Sequence, residues 1–532
     1  MSPILGAVVV ATVFLLGAVH RFSLPQLPIA TSDVGYFWSA LNKLAGGKFE
    51  PLNGVNFLYP LIVYLVLWLF DEFRPLGVIQ HVLGLAAGVV FLCVWRCLGK
   101  FTLPTVFGNE LHRWLGIVGL AIYLLSNGPL QFESLLRADA VCMFMGILSV
   151  WLSLESICDS VVRVNRRRAG ALAVASIVSC VTLATFKPSF VAAASAIILV
   201  TAFVTLRHAR SPAIAMVIVS AIVVTAVVSS SLHSYFSRGD SLTKIFLPQT
   251  LFSIHANIIY EQMREEVWQE NSNGASAVWL QQACSDLGAA IEETHARFPK
   301  PFARLGFDPD RLVNGWDERP SLLSRWRAEL GDDRYREFLS YWYWHTLQRR
   351  PIAFMRKTGG QLSVFYSLDC PAFWGGGRLL RFPYERTIST FDNFSLQSVV
   401  RSVPAAQRFV IQTRELLRTA PPESREGEAI HFLNKLCGRT YLAALLLSLI
   451  ACLWWRNFTH HERTGVLLVI FLYALNLGNV LSISIVHSME IGRYSGVQFL
   501  SALLAELWAV LWLYTIVDRA IRQRQTSTGL TL

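Results

Sequence analysis

Charge is scarce in this sequence. Asp, Glu, Lys and Arg make up 16% of its 532 residues, whereas 53% are hydrophobic, and mean hydropathy is +0.43. One water-soluble core rarely holds that much apolar material, and the apolar residues stand in separate blocks of spanning length rather than in alternating or 3.6-residue patterns. A soluble enzyme, a fibre and a disordered chain are excluded together. A cysteine framework is missing too. Of nine cysteines, six fall in or beside apolar blocks or on the expected cytoplasmic side. Cys284, Cys370 and Cys437 are expected outside, at no short spacing, which argues against a metal cluster or a disulfide scaffold and leaves one bridge open. No basic n-region and no A-x-A-like site precedes His20-Arg21, so a retained first span is expected rather than a cleaved leader. No glycine-rich nucleotide loop is visible either.

The net charge of +11 raises the question of nucleic acid, and the placement of the charges answers it. Between positions 231 and 437 there are 25 Lys and Arg against 23 Asp and Glu, an almost balanced region. The basic excess therefore sits in short loops between apolar blocks, where it sets topology, and a nucleic-acid partner is disfavoured.

The blocks fall at 3–19, 76–95, 115–129, 140–154, 171–185, 190–206, 213–229, 441–455, 466–485 and 494–517, which makes ten spans. A further stretch, 57–70, has only 14 residues and suits a juxtamembrane helix better than a span of roughly 20. With the N-terminus inside, the loops after every second span carry Arg96, Lys100 and Arg113, then Arg163 and Arg166 to Arg168, then Arg207 and Arg210, then Arg456 and Arg463, then Arg519, Arg522 and Arg524. All are basic, as the positive-inside tendency requires. Making 57–70 a span would move the triple-arginine loop outside.

The expected fold is thus an α-helical polytopic membrane protein of about ten spans with juxtamembrane helices and a large, mostly helical extracytoplasmic domain. The boundaries are a transmembrane module at 1–230, the outer domain at 231–438 and C-terminal spans at 439–532. Within the outer domain, 351–365 reads as a helix on the membrane surface or, equally, as a cap on the domain's own core.

Ionisable residues at outer helix ends are costly unless they line a wet cavity. Four places meet that description, all on one side by the parity argument: Asp33; Glu133, Arg137 and Asp139; Lys187; and Glu490, Arg493 and Tyr494. Acids and bases gathered from separate helix ends suit a phosphate-bearing substrate. Each has a plainer reading. Asp33 and Asp139 could be N-caps, Glu133 and Arg137 an i,i+4 surface pair, Lys187 a snorkelling lysine and Arg493 an anchor of the last span. A divalent cation near Glu133 and His81 stays open, although lone His and Glu residues are more often structural. Trp316, Trp342 and Trp374 could stack on sugar rings, but such residues more often belong to a core or a membrane interface.

These residues also carry a resemblance. Asp33, Tyr36, Ala40, Leu44 and Gly46, followed by Tyr59-Pro60, resemble the first outer loop of GT-C glycosyltransferases of the protein O-mannosyltransferase and aminoarabinose transferase type. The run Glu133-Ser-Leu-Leu-Arg137-Ala-Asp139 resembles that family's second outer loop, Thr185-Phe-Lys187-Pro188 its element at the end of the fifth span, and Arg493-Tyr494 the start of a late span. Gln80-His81 stands where these enzymes often carry an arginine, and the region 231–438 matches no pattern of the family.

The resemblance implies an inverting glycosyltransferase that moves a sugar from a polyprenyl-phosphate donor to a hydroxyl of a glycan, lipid or protein acceptor, with membrane lipids as its surroundings. It implies Asp33 as base, Asp139 orienting the acceptor or sharing that role, and Lys187, Arg137 and Arg493 on the donor phosphate. Tyr36, Glu133, Glu490, Tyr494 and His81 are further candidates for substrate contacts, and no cofactor is required. A bacterial inner membrane with a periplasmic site is the default location. The rivals are a transporter or flippase of lipid-linked glycans, which more often shows repeated halves, and a glycan polymerase or ligase.

Overall fold

The computed structural model describes residues 3–527 except 102–105, 210, 270–274, 298–304, 306, 316–319, 375–381, 420–425 and 490–491. The membrane half begins with α1 (Pro3–Phe22), α2 (Trp38–Leu44), α3 (Leu58–Phe70), α4 (Arg74–Leu98), α5 (Val106–Leu125), α6 (Asn127–Ser134), α7 (Asp139–Val161), α8 (Arg166–Phe186), α9 (Val191–Ala209) and α10 (Pro212–Phe236). The polar region holds α11 (Ser241–Ile254), α12 (Ala256–Gln269), α13 (Ala275–Arg297), α14 (Pro309–Asn314), α15 (Leu322–Leu330), α16 (Asp332–Arg349), α17 (Pro351–Phe365), α18 (Phe382–Phe391), α19 (Phe394–Ser402) and α20 (Pro404–Arg418). The chain closes with α21 (Glu428–Ala451), α22 (His460–Val486), α23 (Gly492–Gly496) and α24 (Phe499–Ser527).

The protein is an α-helical polytopic membrane protein. Among the described residues nine helices are long and apolar enough to cross a bilayer, and α5 with α6, bent by 45° at Ser126, makes a tenth if the pair counts as one span. Every one of the ten expected blocks coincides with one of these. The short stretch at 57–70 is α3, whose 13 residues rise roughly 20 Å, short of a hydrocarbon core of roughly 30 Å. Helix ends follow local chemistry. Thr459 and Glu462 form a capping box at the start of α22, satisfying two amides that the helix itself leaves unpaired.

In the bundle α7 packs between α4 and α8, α9 joins α8 to α22, and α24 lies against α22, α21 and α5. The core between them is filled by Phe91, Tyr123, Leu154, Tyr441 and Trp508. At the edge, α10 leaves Val219, Val223 and Val227 more than half exposed, and a helix apolar all round with so little protein cover is suited only to lipid.

The polar region divides its helices between two cores. From α11 to α17 they enclose Phe252, Leu287, Trp326, Tyr335 and Leu339. By contrast α18 and α20 pack onto the loop between α1 and α2 and onto the chain from α2 to α4, with Phe391 stacked on Phe37 at 5.1 Å and Phe409 on Phe73 at 4.3 Å between ring centroids. On α17, Phe354 enters the first of these cores while Ile352 and Met355 stay exposed. Lys357 and Gln361, one and two turns further on, reach the end of α22.

Candidate functional site

Backbone pairing sets the site. Ile29 and Leu135 form an isolated parallel bridge, the Ile29 amide donating to Ser134 O at 2.7 Å and the Leu136 amide to Ile29 O at 2.8 Å. Leu135 is extended, so the chain between α6 and α7 is not helical. That break separates Glu133 from Arg137 and makes their i,i+4 spacing irrelevant. The polar region holds the same loop: Tyr384 donates its hydroxyl to Leu27 O at 3.1 Å, and Thr387 Oγ1 accepts from the Ala30 amide at 3.1 Å.

The loop so held carries Thr31 and Asp33 against Arg137. Arg137 donates through Nε to Thr31 Oγ1 at 2.9 Å and pairs with Asp33 Oδ2 at 2.9 Å. From 460 positions along the chain Arg493 also donates to Asp33 Oδ2, and through its second nitrogen to the Tyr494 hydroxyl at 2.9 Å. Lys187 donates to Asp139 Oδ1 at 2.6 Å and lies 5.3 Å from the centre of the Tyr494 ring. The Tyr36 ring meets Tyr59 edge-on at 5.6 Å.

Neither carboxylate acts as a helix cap. Asp33 precedes a short 3-10 turn without bonding its amides, and Asp139 is the first residue of α7, after an Ala138 cap. Lys187 is 7% exposed and turned to a carboxylate, not snorkelling. Asp33, Arg137, Asp139, Lys187 and Arg493 therefore meet at one end of the bundle, three cations against two carboxylates. Asp33 is the open member, its side chain 33% exposed against 2% for Asp139. Burial pushes the Asp33 carboxyl up, but Arg493 and Arg137 together pull it below the usual carboxylate range. It is ionised at neutral pH.

Beside the cluster, α17 holds the end of α22 through two of its side chains. Lys357 Nζ donates to Ser484 O at 2.5 Å and His487 O at 3.0 Å, bonding carbonyls that the end of α22 leaves open. Gln361 Oε1 accepts from the Met489 amide at 2.6 Å. The His487 ring lies 4.7 Å from that of Tyr494; burial, then Arg493 and Lys357, hold His487 down to about 3, so it is neutral. Thr31, His487, Lys357 and Gln361 went unseen in the sequence. Only the basic pair Arg356-Lys357 on a largely apolar helix gave a signal there.

Glu133 and His81 lie in a separate, deeper group. Glu133 receives two hydrogen bonds from Arg21, at 2.7 and 2.9 Å, and one from His81 Nδ1 at 3.0 Å, and both members of the Arg21 pair are fully buried. Both carboxylate oxygens are thus engaged by the protein, and among the described residues no group of three His, Cys, Asp or Glu side chains could hold a metal. Trp342 is buried in the polar region's core and Trp374 is half exposed. Glu490 and Trp316 lie outside the described residues. Compared with known proteins, the chain matches no family model, no curated protein and no solved structure.

Proposed function

We propose that the protein is an inverting glycosyltransferase that moves a sugar from a polyprenyl-phosphate donor to an acceptor hydroxyl at the membrane end where Asp33 lies. The observation that supports this most is the convergence of Asp33, Arg137, Asp139, Lys187 and Arg493 from four separate stretches of chain. Charges at the end of a bundle are costly unless function retains them. A surplus of one positive charge beside an open carboxylate suits a substrate that brings a phosphate. The order of these residues along the chain, which resembles the GT-C pattern, adds to the reading, and we propose that architecture for the membrane half. A bacterial inner membrane with the site facing the periplasm goes with it.

The acceptor oxygen attacks the anomeric carbon, the bond from that carbon to the phosphate oxygen breaks, and the phosphate leaves with the electron pair. The acceptor's proton passes to Asp33. Clamped by two guanidiniums, Asp33 is a poor base. A donor phosphate that recruits Arg137 and Arg493 loosens that clamp, raising the Asp33 pKa just when a base is needed. The same cations then stabilise the charge growing on the leaving phosphate. Asp139, fixed by Lys187, orients the acceptor, and no resident cofactor is required.

The test is release of polyprenyl phosphate from synthetic polyprenyl-phosphate sugars by purified, reconstituted protein. Asp33→Asn lowers the rate by about two to four orders of magnitude, while Asp333→Asn, at a side chain 89% exposed on the outer region, leaves it unchanged. Turnover retained by Asp33→Asn removes the base, and no turnover of any donor by the wild type removes the reaction.

A further inference from the structure

A cavity of about 650 Å³ lies far along the bundle from Asp33, at the end that carries the basic loops, between the start of α1, the end of α4 and the start of α5. We propose that it is a seat for one anionic phospholipid, its phosphate among Arg96, Lys100 and Arg113 and an acyl chain along Val10, Leu92 and Ile117. This site is independent of the sugar transfer proposed above.

Three observations carry the assignment. The first is a built floor. Trp95 and His112 stack at 5.0 Å and 9°, Trp95 Nε1 donates to His112 O at 2.7 Å, and His112 Nε2 donates to Trp95 O at 3.0 Å. Carbonyls only accept, so this clasp fixes the proton of His112 on Nε2. Glycines give the clasp its closeness, since a Cβ at Gly99 would stand 2.6 Å from the His112 ring and one at Gly116 2.5 Å from Trp95.

The second is charge. Lys100 shares Glu155 with Arg163, and Arg113 meets Glu110 from its own helix while 53% exposed. Arg96 is exposed and makes no ion pair among the described residues, so the rim carries positive charge beyond what the protein neutralises. The third is access from lipid. The α1 helix beside the cavity leaves Ile4 77% and Val8 55% exposed, so bilayer reaches the opening from the side. A basic rim over apolar walls between spans matches a phospholipid headgroup with its chain. A soluble phosphate would have no use for the walls.

The full-length protein, purified in detergent, is offered phosphatidylglycerol or phosphatidylcholine and the lipids it retains are counted by native mass spectrometry. One phosphatidylglycerol is retained in preference to phosphatidylcholine. Arg96→Gln and Arg113→Gln each weaken that retention about five-fold, the worth of one basic side chain at an anionic surface. Val10→Trp, which fills the apolar wall without altering charge, weakens it as well, and Asp33→Asn does not. Equal retention of both lipids, retention untouched by the arginine changes or by Val10→Trp, or equal protection by millimolar inorganic phosphate would overturn the proposal.

Discussion

Arg21 and Glu133 form an ion pair with no access to water, completed by Leu124 O at 2.7 Å from Arg21 and by His81. Such a pair adds little over apolar packing, but removing one partner strands the other charge, at about 3–5 kcal/mol. Arg21→Met should therefore lower the unfolding midpoint sharply in detergent, read by tryptophan fluorescence, while Arg21→Met with Glu133→Leu should lose much less than the two single changes added together. Strict additivity would mean that the pair is not coupled. Asp33 follows a different rule. Its folded pKa is depressed, so the stabilisation from its two arginines is complete above the unfolded carboxylate value and fades only as pH falls through the lower folded one. Between pH 5 and 8, the range of roughly neutral conditions, the clamp should stay closed in the absence of donor.

Helices meet here where a side chain is missing. A Cβ at Gly84 of α4 would stand 2.0 Å from Glu133 Oε1, so that glycine makes room for the carboxylate delivered by α6. Gly84→Ala should push Glu133 off Arg21 and cost about 1–3 kcal/mol. In a Glu133→Leu, Arg21→Met background, with no charge pair left to disturb, the same change should cost less. The break at Leu135 matters as much. Helical spacing read along the sequence joins Glu133 to Arg137, but one extended residue sends the first to the buried Arg21 group and the second to the open Asp33 cluster.

Across the whole molecule, three spans separate the loop holding Arg167 from α16, which holds Asp333. Arg167→Cys and Asp333→Cys should therefore react with a membrane-impermeant maleimide from opposite sides of sealed vesicles, and labelling of both from one side would refute the span count. The ten apolar blocks and the short α3 were legible because length and hydropathy are local properties that a bilayer enforces. Asp33, Arg137, Asp139, Lys187 and Arg493 were legible as helix-end charges. Their partners were not, since hydropathy says which residues sit at a membrane end and nothing about which ends meet.

The sequence by itself determined the class of protein, the placement of its apolar blocks, the short α3 and the gathering of charge toward one end. Each follows from the cost of placing polar groups in hydrocarbon, a cost that every segment meets alone. Tertiary structure decided that Arg493 and Arg137 share Asp33, that Lys187 takes Asp139, that Glu133 belongs with Arg21, and that α18 and α20 leave the other helices of the polar region to lock the first loop. Those choices depend on contacts between residues as many as 460 positions apart, which the packing of helices against one another settles and no local pattern encodes.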